Sequence, residues 1–161
     1  MIGQQKSTSY PEALKKLEHF CAYQERCHQD VEKKLNDFFL ISEAREKIIM
    51  HLIAENYLNE TRFSESFARG KFNIKHWGKL RIIRELKTRN ISDYNIKKGL
   101  KQIDETDYLA SFHELAERKW SNLSNESNQK ARQKLIYYLQ YRGWENNLIF
   151  EKVSDLNKKE L

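Results

Sequence analysis

Apolar residues in this chain return every three or four positions, separated by short polar breaks, from Ala13 to Leu156. That spacing marks helices that bury one face. A first helix carries Ala13, Leu14, Leu17, Phe20 and Cys21 and is expected to end near Arg26. It opens at Ser9-Tyr10-Pro11-Glu12, where serine and a glutamate three residues on form a capping box and the first turn accepts proline. Val31, Leu35, Phe38 and Phe39 mark a second helix. A third begins after Ser42 and buries Ile48, Ile49, Leu52 and Ile53. Tyr57-Leu58-Asn59 closes this group, and Asn59 or Thr61 caps a fourth helix anchored by Phe63, Phe67 and Phe72. Leu80, Ile82, Ile83 and Leu86 gather on one side of a fifth, which stops at Asn90, a residue that tolerates left-handed backbone. Ser92 caps a sixth, lined by Ile96, Leu100 and Ile103. Thr106 or Asp107 starts a long seventh helix with Tyr108, Leu109, Phe112, Leu115, Ala116 and Trp120. Residues 121–129 form a loop, an eighth helix with Ala131, Leu135, Tyr138 and Leu139 ends at Gly143, and a ninth carries Leu148, Ile149, Val153 and Leu156.

The pattern repeats. Lys79–Asn95 shifted by 53 falls on Arg132–Leu148, pairing Leu86 with Leu139, Asn90 with Gly143 and Ile91 with Trp144. Shifted back by 50, Ile91-Ser92-Asp93 falls on Ile41-Ser42-Glu43, whereas Leu86 needs 51 to reach Leu35, so the first unit carries one extra residue at its turn. The predicted fold is all-α: three tandem three-helix repeats, each helix-turn-helix-like, stacked into an elongated, curved array. Repeat 1 covers 9–58, repeat 2 covers 59–104 and repeat 3 covers 105–157, with a mobile N-terminal tail at 1–8 and a C-terminal tail at 158–161.

Composition supports helices: among 161 residues there are one proline and five glycines, and no Pro/Gly/Ser-rich linker. Three Trp, eight Tyr and eight Phe supply a core despite 32% charged residues. The longest apolar run, Phe38-Phe39-Leu40-Ile41, is far too short to span a bilayer, and MIGQQKSTSY has no apolar signal region, so a soluble cytoplasmic protein is expected. His19, Cys21, Cys27 and His28 form the run H-x-C-x5-C-H, which matches no familiar zinc spacing, and the two cysteines suit apolar packing instead. Neither metal nor cofactor is expected. The remaining histidines (51, 76 and 113) are scattered, and no Gly-rich phosphate loop, nucleophile elbow or His-Glu-x-x-His occurs, so an enzyme is not expected.

Charge adds a location. Lys71–Lys101 holds ten Lys or Arg against Glu85 and Asp93, a net of +8, while each flank is close to neutral. A one-signed local patch attracts phosphate backbones or acidic protein surfaces. The candidate contact is Lys75, Lys79, Arg81, Arg84 and Lys87, with Lys97, Lys98 and Lys101 beside them. Lys130, Lys134, Tyr137 and Tyr141 form a second helical stripe. Its tyrosines are expected to pack against the preceding unit, with the lysines covering their edges, although such rings could also stack on bases or on a partner. Trp77, Trp120 and Trp144 are read as core in the same way.

Two segments carry a family resemblance. ENYLNETRFSESFARGKF (55–72) and WGKLRIIRELKTRNIS (77–92), with a weaker echo in AYQERCHQDVEKKL (22–35), resemble the bacterial RecX regulatory proteins over residues 20–156. Asn56 and Asn90 stand where that family commonly has glycine, and Cys27 replaces a small hydroxyl residue. The resemblance implies an elongated array of three three-helix repeats that binds the RecA filament on single-stranded DNA and inhibits its ATPase, strand-exchange and coprotease activities. Direct DNA binding of low sequence specificity is a further implication, and a monomer is expected. Two readings compete. A stand-alone DNA-binding protein would use the helix-turn-helix-like middle unit with sequence preference. An adaptor that meets no nucleic acid would keep its interactions when Arg81 and Arg84 are reversed to glutamate.

Overall fold

The computed structural model describes residues 8–159, with side chains described through residue 157. The expected tails fall largely outside that range. Thr8, placed in the N-terminal tail by the sequence, donates its amide to the Phe38 carbonyl at 3.2 Å. Among the described residues the secondary structure is helical throughout, with no strand. The first unit comprises α1 (Tyr10–Tyr23), α2 (His28–Leu35) with a 3-10 turn over Asn36–Phe38, and α3 (Ser42–Ala54). The second comprises α4 (Glu60–Lys75), α5 (Lys79–Thr88) and α6 (Asp93–Leu100). The third comprises α7 (Glu105–Ser121), α8 (Asn128–Tyr141) and α9 (Asn146–Lys159).

Short polar side chains start most of these helices by accepting an otherwise orphaned amide. Ser9 accepts from Glu12, Asn59 from Arg62, Ser92 from Asn95 and Ser127 from Lys130. Two starts differ from the sequence reading. Asp104, rather than Thr106 or Asp107, caps α7 by accepting the Asp107 amide at 3.0 Å. An ionised aspartate at the cap, with Glu105 and Asp107 in the first turn, suits the positive end of the helix dipole. In the first unit the cap position is Ile41, and Ser42 is already helical.

That second difference corrects the repeat. The left-handed residue that ends the middle helix is Phe39, Asn90 and Gly143 in the three units, with φ of 53°, 57° and 89°. Phe39 and Asn90 are 51 apart, as are Leu35 and Leu86, so the first unit has no extra residue at its turn. Leu40, not Ile41, takes the place of Ile91 and Trp144, and Ile41 is 71% exposed. Asn56 is also left-handed, with φ 61°, in keeping with its glycine-like place in the turn. Leu80 departs from its expected side as well and is exposed. It lies about 160° and 120° around the helix from Ile82 and Leu86, which are the fully buried pair.

The hydrophobic interior is divided unequally. Ala13, Leu17, Val31, Leu35, Ile48 and Leu52 close a core within the first unit. The second and third units share one continuous core, with Phe63, Phe72, Ile82, Leu86, Phe112, Leu139, Trp144 and Ile149 among its members. Cys27 reaches from the first unit into that shared core. Otherwise the first unit is held to the second largely by polar bonds. The Arg62 guanidinium meets Glu25 at 2.6 Å and also donates to the carbonyls of Asn56 and Tyr57. The His28 amide donates to Glu60 at 3.0 Å. The segment ENYLNETRF is therefore a structural clamp, with Asn56 turning, Leu58 buried, Asn59 capping, Arg62 tying and Phe63 entering the core.

Candidate interaction surface

The middle-unit cations are positioned by the joint between the start of α5 and the end of α8. The Gly78 amide donates to the Arg142 carbonyl at 2.8 Å, and the Leu80 amide to the Gly143 carbonyl at 3.0 Å. Free amides at one helix start thus meet free carbonyls at another helix end, and opposite dipole ends adjoin. The approach needs both glycines. A Cβ on Gly78 would lie 2.4 Å from the Gly143 carbonyl oxygen, and one on Gly143 would lie 2.2 Å from the Arg81 Cβ. The Tyr108 hydroxyl completes the joint: it accepts the Lys79 amide at 2.9 Å and donates to the Glu145 carboxylate at 2.8 Å. Burial, with Glu145 beside it, pushes the phenol well above its usual range, so it stays a donor. Arg142 donates to the Lys75 carbonyl and the Trp144 indole to the His76 carbonyl.

This joint engages two of the predicted contact residues. Lys79 pairs with Glu105 at 2.8 Å and lies 4.4 Å from the centre of the Tyr108 ring. Arg81 is sandwiched between Trp77 and Tyr141, at 4.2 and 4.8 Å from the two ring centres, and donates to the Tyr141 carbonyl at 3.2 Å. Lys98 is half-buried, 5.6 Å from the Tyr94 ring centre. Lys75, Arg84, Lys87, Lys97 and Lys101 are exposed. The charge run therefore divides into cations that hold the two units together and cations that face outward.

The second stripe stands differently from its expectation. Tyr137 and Tyr141 are 69% and 61% exposed, so neither is buried against the preceding unit, although Arg81 of that unit lies over the Tyr141 ring. Ala131, Leu135 and Leu139 already fill the inward face of α8 at four-residue intervals, which leaves these tyrosines on the outer side. Their rings stack at 6.2 Å with 22° between planes. Lys130 is exposed, and Lys134 pairs with Glu126, holding that carboxyl below its usual range. Through Arg81 and Tyr141 the two predicted surfaces touch, which no sequence spacing indicated. Trp144 is core, as expected, while Trp77 and Trp120 are half-buried.

Other features were not legible in the chain. Lys152 is buried, with its ammonium 2.8 Å from Glu117. Lys15, Lys16, Arg26 and Lys34 line a concavity of about 770 Å³ over Phe20 and Phe38 in the first unit. The near-neutral charge count of that unit conceals them, because counting ignores where charges gather. Cys21 and Cys27 are buried in different cores, and burial pushes both thiols up to about 11. Among the described residues no group of three or more His, Cys, Asp or Glu is placed to hold a metal ion, and no helix is long and apolar enough to cross a membrane.

Comparison with known proteins bears on both units that form the joint. The RecX second three-helix domain matches residues 59–100, and the RecX third three-helix domain matches residues 105–153, together more than half of the chain. The chain belongs to the RecX family. The regulatory protein RecX of Enterococcus faecalis is 26% identical over 144 residues, covering 89% of this chain and 54% of that protein. That of Herminiimonas arsenicoxydans is 29% identical over 133 residues, covering 81% and 83%. The chain spans about half the length of relatives such as the Enterococcus protein. Two solved structures share the fold. A crystal structure of regulatory protein RecX superposes with a TM-score of 0.80 at 21% identity, covering 91% of this chain and 73% of that one. RecX from Lactobacillus salivarius gives 0.78 at 22% identity, covering 92% and 96%.

Proposed function

We propose that this chain is a negative regulator of the RecA recombinase. It binds the RecA filament on single-stranded DNA and inhibits its ATPase, strand-exchange and coprotease activities by occupancy rather than by catalysis. The observation that carries this reading is the match of both RecX domains to the two units that form and position the basic surface. Lys75, Arg84, Lys87, Lys97 and Lys101 face outward and are the proposed contact with filament carboxylates or DNA phosphates. Lys79 and Arg81 support that surface from behind by fixing the second unit against the third. A shared core and a hydrogen-bonded joint keep these charges at set positions, so little order has to be gained on binding.

The test is ATP hydrolysis by RecA from the same organism on single-stranded DNA, titrated with the native chain and with an Arg84→Glu/Lys87→Glu variant. Arg81 is left intact because it belongs to the joint. Inhibition by the native chain below the RecA concentration, weakened at least about tenfold in the variant, is expected, since two reversed contacts exceed 1.4 kcal/mol. No inhibition by the native chain ends the RecA reading. Equal inhibition by both moves the contact to the flanking units. The stand-alone DNA-binding reading has less support: the first turn of α6, where a helix-turn-helix reads bases, presents Asp93, whose charge repels phosphate.

A further inference from the structure

We infer that Tyr137 and Tyr141 form a stacking platform for the bases of single-stranded nucleic acid, on the third unit and beside Arg81 of the middle unit. The platform stands on observations independent of the RecA reading. Two large aromatic side chains, 69% and 61% exposed, lie nearly parallel on the outer face of α8. Apart from the Arg81 guanidinium over Tyr141, rings this exposed leave apolar surface in water. They border a groove of about 420 Å³ whose other walls are Lys119, Gln133, Lys134 and Tyr138. Among the described residues its charged walls are Lys119 and Lys134, the latter paired with Glu126, which leaves the groove net positive and favours an uncharged or anionic occupant. Lys119 lies 4.9 Å from the Tyr138 ring centre, and Lys130 is exposed one turn from Lys134.

Aromatic faces alternating with cations match one ligand chemistry closely, a strand whose planar bases alternate with phosphates. In a duplex the base faces are stacked away, so a single strand is the form that fits. Arg81 adds to the match. It stacks on the face of Tyr141 and on Trp77, which orients the tyrosine and places a further positive charge beside it. Stacking itself reads no sequence, because every base offers a π-face.

The test compares binding of the full chain, without RecA, to a short fluorescent oligothymidylate, to an abasic strand of equal charge, and to a duplex. Anisotropy is read for the native chain and for Tyr137→Ala/Tyr141→Ala and Tyr137→Phe/Tyr141→Phe variants. The native chain is expected to prefer oligothymidylate over the abasic strand by about tenfold or more. The alanine variant loses that preference while its abasic binding holds, and the phenylalanine variant retains it. Arg84→Glu/Lys87→Glu instead weakens both strands alike, which separates phosphate contacts from stacking. Equal native affinity for the two strands overturns the inference. So does an alanine variant that binds oligothymidylate like the native chain, whether or not it has lost RecA inhibition. In that last case the tyrosines contact protein rather than bases.

Discussion

Tyr108 shows how one side chain turns a helix position into a joint. Its ring is 1% exposed and packs 4.6 Å from the Trp144 ring and 5.8 Å from Phe72. Its hydroxyl satisfies an amide at the start of α5 and a carboxylate beside α9 at once. Tyr108→Phe keeps the ring but leaves the Lys79 amide without that acceptor and Glu145 without that donor. A loss of about 1–3 kcal/mol is expected, the range for a partner stranded by removal of its mate. Urea denaturation reads it, and an unchanged midpoint would mean that water replaces the hydroxyl. Arg81 carries a parallel lesson. Its place in a charge run suggests a contact, whereas its two aromatic neighbours make it a strut.

At the scale of elements, the α5–α8 contact depends on helix ends rather than helix faces. Gly143 has φ +89° and faces the Arg81 backbone nitrogen, 2.4 Å from where a Cβ would sit. Gly143→Ala therefore combines left-handed strain of about 1–2 kcal/mol with a clash that parts the two helices. A drop of at least about 2 kcal/mol is expected, read as a lower denaturation midpoint. Asn90→Gly at the equivalent turn of the second unit should change stability by less than about 1 kcal/mol, since glycine accepts φ 57° freely. A Gly143→Ala variant as stable as the native chain would show that the joint flexes to admit a methyl group.

For the whole molecule, the division of the core matters most. The second and third units are expected to unfold together, because one apolar cluster runs through both. The first unit keeps its own core and depends on Cys27, Arg62 and Glu60 for attachment. Arg62→Ala removes the Glu25 ion pair and two turn carbonyl bonds in one step, and the second Glu25 carboxylate oxygen already has no partner. Faster amide exchange across α1–α3 is expected, with α7–α9 protected as before. Uniform loss of protection in all three units would show that they share one cooperative transition.

The sequence by itself determined the helices, their threefold recurrence and the family resemblance, because periodicity, caps and turn residues act over a few positions. Ser9, Asn59, Ser92, Asn90 and Gly143 do in the structure what their local chemistry demands. The middle-unit charge run was equally plain. What only the tertiary structure decided is which of those charges are free, since Lys79 and Arg81 are engaged by Glu105, Trp77 and Tyr141 from other turns or another unit. The sequence reading packs Tyr137 and Tyr141 inward, and only the structure sets them outward, because a four-residue aromatic spacing fits either face of α8. Buried Lys152 depends on Glu117 in another helix, and the cationic concavity of the first unit on how its helices fold together. Local propensity acts between neighbours in sequence, whereas burial and charge pairing act between neighbours in space, and only the folded chain relates the two.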